Sequence, residues 1–138
     1  MAMHHVFGAP DPRCRYTPVH SVYALLLNAQ GCLALTPGSL PGTALPASEQ
    51  AEQTLQSYLQ QDYTLDVRIL WHLANTESYS PPAAARLEHS AFYLAELEAP
   101  AAMPPEHLQW LAPPAALAQL PDGPQRWAIE RFSPYLTP

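Results

Sequence analysis

The chain has 138 residues, 48% of them hydrophobic and only 13% charged, which suits one compact domain with a core and excludes a disordered or coiled-coil chain. Its basic residues are all arginines, Arg13, Arg15, Arg68, Arg86, Arg126 and Arg131, set against twelve acids for a net charge of −6. No basic stripe is present to neutralise a phosphate backbone, so duplex nucleic acid is excluded as the main partner.

Seventeen prolines against five glycines predict short, sharply bounded elements, because proline removes a backbone donor and fixes φ. Residues 1–17, which include Gly8, Pro10 and Pro12, are read as a poorly ordered N-terminal segment, and 18–138 as a single domain. Residues 19–28 (VHSVYALLLN) predict a strand that turns through Asn28-Ala29-Gln30-Gly31 into a second strand at 32–36, a hairpin. The Pro- and Gly-rich stretch 36–48 predicts a loop. Residues 49–63 hold no Gly or Pro, and Ala51, Leu55, Tyr58, Leu59 and Asp62 recur at helical spacing, which predicts an amphipathic helix capped by Ser48.

Residues 65–73 read as a strand and 75–86 as a loop. Residues 87–97 read as a further strand, with His89, Ala91, Tyr93 and Ala95 on one face and Ser90, Phe92, Leu94 and Glu96 on the other, although Leu, Ala and Glu also suit a helix. A loop at 100–105, a short strand at 108–111, a helix at 113–120 with proline in its first turn and a closing helix at 125–132 complete the chain. Strands alternating with helices predict an α/β layer fold.

Residues 1–15 are polar and broken by proline, and the longest apolar run, 23–27, is far short of the roughly 20 residues that span a bilayer. Cys14 and Cys32 form no Cys-x-x-Cys pair. The expectation is a cytoplasmic protein with no membrane partner.

Two stretches carry the functional signal: Leu40-Pro41-Gly42-Thr43, and Ser57-Tyr58-Leu59-Gln60-Gln61-Asp62-Tyr63-Thr64-Leu65. The order of hairpin, Pro-Gly loop, amphipathic helix, two strands, Trp-containing strand and helix resembles the Nudix hydrolase family. The local text is similar to that family's box. Thr43 stands in place of the second glycine of Leu-Pro-Gly-Gly, Glu49 falls at the first box glutamate, and 57–65 match Arg-Glu-apolar-x-Glu-Glu-x-Gly-apolar without a gap. Leu59, Asp62 and Leu65 keep the pattern. Ser57 replaces the arginine, Tyr58 and Gln61 replace two glutamates, and Thr64 replaces the glycine.

The resemblance covers about residues 16–132 and implies an α/β/α sandwich around a mixed β-sheet. It also implies pyrophosphohydrolysis of nucleoside diphosphates linked to another group, with Mg²⁺ or Mn²⁺ as cofactor. Carried over residue by residue, it makes Glu49 and Asp62 the catalytic candidates, Glu49, Gln61 and Asp62 the metal candidates, and Gly42, Thr43 and Tyr58 substrate contacts. Phe92 joins these, with Tyr79, as an aromatic placed near the edge of a cleft to stack a nucleobase.

Mg²⁺ is a hard cation that takes carboxylate, phosphate and water oxygens, and carboxylates at i, i+3 and i+4 of a helix share one face. Here those places are Tyr58, Gln61 and Asp62, so one carboxylate survives and the expected outcome is weak or absent hydrolysis. Glu52 lies ten residues before Asp62, about 15 Å along a helix, too far to hold the same ion. Glu88, Glu96, Glu98 and Glu106 are the acids that would rebuild a site from elsewhere.

The alternative is a non-catalytic nucleotide-binding, regulatory or protein-interaction module on the same fold, with a nucleotide-like ligand and a homodimer among its partners. His20, His72, His89 and His107 share no close zinc-ligand spacing and read as half-buried sheet histidines, with His72 and His89 on adjacent strands. Trp71, Trp110 and Trp127 read as core residues, and Cys32 as a small hydrophobe on a buried strand.

Overall fold

A computed structural model gives the fold and describes residues 2–98 and 107–136. Among these residues the chain forms seven strands and three helices in the order β1 (Met3–Phe7), β2 (Thr17–Leu27), β3 (Leu33–Leu35), β4 (Gly42–Ala44), α1 (Ala51–Tyr63), β5 (Val67–Tyr79), β6 (Arg86–Leu97), β7 (Gln109–Leu111), α2 (Pro113–Gln119) and α3 (Pro124–Leu136). The strands make one mixed sheet in the order β1-β5-β6-β2-β3-β7. The outer edge of β2 is shared: Ser21–Tyr23 face β4, and Leu27 faces β3. β2 and β6 run parallel, while β5 and β6 run antiparallel.

The sheet is covered on both sides, which is why β2 and β6 read as near-continuous apolar runs rather than as alternating ones. On one face Val22, Ala24, Leu26, Tyr93 and Ala95 pack beneath Leu55 and Leu59 of α1. On the other, Leu25, Phe92 and Leu94 pack against Ala116 of α2 and Ala128, Ile129 and Phe132 of α3. Leu55 and Leu59 are one helical turn apart and fully buried, so truncating either to alanine removes about 2–5 kcal/mol of stability. The result is the expected α/β/α sandwich.

The turn between β2 and β3 forms where predicted. The Asn28 side-chain oxygen accepts from the N–H groups of Gln30 (3.0 Å) and Cys32 (2.9 Å), and Gly31 takes a left-handed φ of +76°. The strand read at 87–97 forms with one more residue at its start, Arg86, and the two faces read for it hold, with Phe92 and Leu94 on one side and Tyr93 and Ala95 on the other.

Three local expectations are corrected. Residues 3–7, read as poorly ordered, form β1 parallel to β5, with Met3 opposite Ala74 and Phe7 opposite Ser78. Residues 75–79, read as loop, continue β5, because β1 on one side and β6 on the other offer hydrogen-bonding partners to this polar stretch. Trp71 is 61% exposed rather than in the core; register shifts between Ile69 and Trp71 and between His72 and Ala74 re-aim the side chains there. The loop read at 100–105 and Glu106 lie outside the described residues.

Candidate functional site

The Pro-Gly loop and α1 enclose a cleft of about 730 Å³. One wall is built from β4 and the segment after it. The Ala24 N–H donates to the Pro41 carbonyl and the Leu45 N–H to the His20 carbonyl, both at 2.9 Å, fastening the loop to β2 at two points. The other wall is the face of α1 that turns away from Leu55 and Leu59. It brings Thr54, Ser57, Tyr58, Gln61 and Asp62 to the cleft opposite Thr43 and Glu49.

The N-cap of α1 is Gln50, not Ser48, and no side chain caps the helix. Glu49 is held instead by Thr54, whose hydroxyl donates to Glu49 Oε2 at 2.8 Å. The helix ends at Thr64, which occupies the left-handed region at φ 54° and ψ 40°.

Five of the residues singled out from sequence thus meet in one place: Thr43, Glu49, Tyr58, Gln61 and Asp62. Gly42 lies beneath them, backed by Tyr23. Phe92 does not join them. It is fully buried in the core on the α2–α3 side, stacked on Tyr23 with ring centroids 5.4 Å apart, and so presents no face to a ligand. A strand residue facing the wrong side of the sheet cannot edge the cleft.

The cleft holds two carboxylates, Glu49 and Asp62, and its described lining contains no arginine. Tyr58 is half-buried, and its hydroxyl lies 3.3 Å from that of Tyr63, with the rings edge to face at 5.7 Å. Burial pushes the Tyr58 phenol well up from its ordinary range, with the Tyr63 hydroxyl and the Asp62 charge adding to the effect. Tyr58 therefore stays neutral at the position where the resemblance leads one to expect a carboxylate.

Gln61 contributes at most a neutral amide oxygen. Among the described residues no group of three or more His, Cys, Asp and Glu is gathered as a metal site. With Tyr58 and Gln61 neutral, the lining is two negative charges short of the box that the resemblance implies, and fewer charged ligands hold a hard cation less tightly, so these residues do not fit the tightly held ion that the box implies.

The acids considered as replacements are engaged elsewhere or lie apart. Glu96 on β6 pairs with Arg68 on β5. Glu88 and Glu98 do not line the cleft, and Glu52 is exposed on α1 outside its lining. His72 and His89 do not meet: His72 stacks on Tyr93 at 4.4 Å, and His89 on His20 at 4.6 Å. That second pairing escaped the sequence, because nothing local signals that β2 and β6 are parallel neighbours.

No protein-family model matches the chain, and no curated protein matches it in sequence. Solved structures do match over nearly its whole length. The Caenorhabditis elegans Ap4A hydrolase aligns with a TM-score of 0.71 at 12% identity, over 88% of this chain and 100% of that one. The Escherichia coli dihydroneopterin triphosphate pyrophosphohydrolase gives 0.69 at 14%, over 87% and 97%. A Nudix hydrolase from Nitrosomonas europaea gives 0.68 at 9%, over 88% and 92%. The chain has the fold of the Nudix hydrolases.

Proposed function

We propose that the chain is a Nudix hydrolase-like protein whose box no longer grips its divalent metal, so that Mg²⁺- or Mn²⁺-dependent pyrophosphohydrolysis is weak or absent. One observation carries the reading: on this fold, the cleft beside α1 presents Tyr58 and Gln61, both neutral, where two of the box carboxylates belong, and keeps only Glu49 and Asp62. In this reading Thr43 and the backbone of Gly42 form the ligand-facing loop, and Tyr58 supplies a half-buried ring and hydroxyl to a nucleotide-like ligand. The setting is cytoplasmic; Cys14 and Cys32 are both unbridged, and no helix among the described residues is long and apolar enough to cross a membrane.

The test is phosphate release from ADP-ribose, nucleoside triphosphates and dinucleoside polyphosphates with Mg²⁺ or Mn²⁺. Little or no turnover is expected. Robust turnover that Asp62→Ala abolishes would overturn the reading.

The second reading, a nucleotide-binding module without catalysis, is favoured by the chemistry of the lining, in which hydroxyls and amides such as Ser48, Gln50, Gln53, Thr54 and Ser57 outnumber carboxylates. Thermal stabilisation by a nucleotide without added metal supports it. No shift with any nucleotide, together with a dimer in solution, supports a protein-interaction role instead.

A further inference from the structure

The cleft beside α1, at about 730 Å³, has the size of a small-molecule site, and the charges along its walls set what enters it. Among its described lining residues the charged groups are Glu49 and Asp62, with no arginine or lysine to balance them. The remaining polar groups are neutral, hydroxyls such as those of Thr43 and Ser57 and amides such as those of Gln53 and Gln61.

The start of α1 is the one place in the cleft that favours an anion. Its first turn has no side-chain cap, and the free N–H groups at a helix start attract phosphate. Here a charge of the chain's own stands there. Glu49 directly precedes the N-cap residue Gln50, and the Thr54 hydroxyl donates to Glu49 Oε2 at 2.8 Å, which holds the carboxylate beside that first turn. Asp62 adds a second negative charge from the last turn of the helix. An incoming phosphate therefore meets two like charges and no cation.

We propose that without a metal the cleft takes a nucleoside, the uncharged part of a nucleotide-like ligand, and disfavours each phosphate added to it. The sugar hydroxyls and base edges of a nucleoside match hydroxyls and amides that both donate and accept, and its base is a flat surface for the half-buried Tyr58 ring. The proposal rests on the reading of this cleft as a ligand site whose grip on metal is lost, and narrows it: losing the metal changes which part of the ligand is held.

The test follows adenosine, AMP, ADP and ATP, and the same guanosine series, binding to the full chain in EDTA at low salt, by amide ¹H–¹⁵N spectra. A nucleoside is expected to move the signals of Thr43 and Ser57 and to leave those of His20 and His89 in place. Affinity falls by about threefold with each phosphate, and by less at high salt. Glu49→Gln combined with Asp62→Asn levels the series or turns it in favour of ATP, because it removes both charges and frees the first turn of α1 for an anion. Absence of nucleoside binding, movement confined to residues outside the cleft, ATP bound as tightly as adenosine without metal, or a series unchanged in the double variant would overturn the proposal. If that variant fails to fold, the wild-type series and its salt dependence decide: a series that does not fall with phosphate, or that salt does not flatten, overturns it. Turnover with Mn²⁺, measured separately, bears on the lost metal grip alone, so robust turnover overturns that reading while the order of affinities in EDTA tests this one.

Discussion

Tyr23 lays its ring against the backbone of Gly42 so closely that a β-carbon at position 42 would stand 2.2 Å from Tyr23 Cδ1 and 2.9 Å from the Val22 carbonyl oxygen. The two residues are opposed in the β2–β4 pair, and the far side of the Tyr23 ring stacks on Phe92. The core thus reaches through Tyr23 to the loop that forms one wall of the cleft. Gly42→Ala is expected to push β4 off β2, since one of the obstructing atoms belongs to the β2 backbone, and to lower stability by about 1–3 kcal/mol, the usual cost of overpacking. Denaturant unfolding measures this. An unchanged midpoint would mean that Tyr23 swings clear and that the loop does not depend on it.

Thr64 carries a second backbone constraint. Its N–H donates to the Gln60 carbonyl at 3.0 Å, and the Leu65 N–H reaches back to the Leu59 carbonyl at 3.2 Å, a left-handed helix ending of the kind glycine favours. Holding a residue with a β-carbon there costs roughly 1–2 kcal/mol. Thr64→Gly is therefore expected to raise stability by about 1 kcal/mol after the added freedom of the unfolded chain is subtracted, while Thr64→Ala changes it little. A Thr64→Gly variant that is less stable in urea would show that the threonine side chain makes up for its own backbone.

These two positions show what the sequence revealed and what it hid. Helix α1 and its cleft were legible, although the helix begins at Ala51 rather than at 49, because Leu55, Tyr58 and Leu59 keep a period that needs no partner to be read, and because Gly42 and Thr64 fall at fixed distances from it. Phe92 was placed on the correct strand and on the face opposite Tyr93, but which face looks toward α1 depends on long-range pairing that no local pattern records. The same holds for β1, whose strand character comes from lying beside β5, and for His20 and His89, 69 positions apart in the chain and neighbours only because β2 and β6 run side by side.

Alkaline pH tests the buried phenols. Burial raises Tyr23, Tyr58 and Tyr93 above their ordinary value of 10.0. Below that value both folded and unfolded chains keep these protons, and the stabilising effect of the neutral phenols is fully present. Above it the unfolded chain ionises first, so stability falls as pH rises. Unfolding free energy is expected to be flat from pH 8 to 9.5 and to decline beyond, and Tyr58→Phe should reduce the decline. A profile that stays level to pH 11.5 would contradict the burial of these groups.

Restoring the missing charges is the most direct challenge to the account of the cleft. Gln61 is exposed and sits beside Asp62 on the cleft side of α1, so Gln61→Glu should fold as the wild type does and give Mn²⁺ affinity a rise of roughly tenfold, since added ligand charge is what tightens binding of hard cations. Tyr58→Glu is a harder change, because it breaks the Tyr58–Tyr63 contact and exposes a half-buried position to charge. It is expected to lower stability by about 1–2 kcal/mol, yet in combination with Gln61→Glu it sets three carboxylates at i, i+3 and i+4 with Asp62. Adding Ser57→Arg places an arginine at the box position that this chain fills with serine. If Mn²⁺ affinity climbs along this series and pyrophosphohydrolysis appears with it, the side chains alone account for the weak or absent hydrolysis proposed above, and the backbone cradle is intact. If affinity stays flat although the variants fold, the fault lies in the 43–49 loop, whose oxygens then do not face the helix closely enough to share an ion with it.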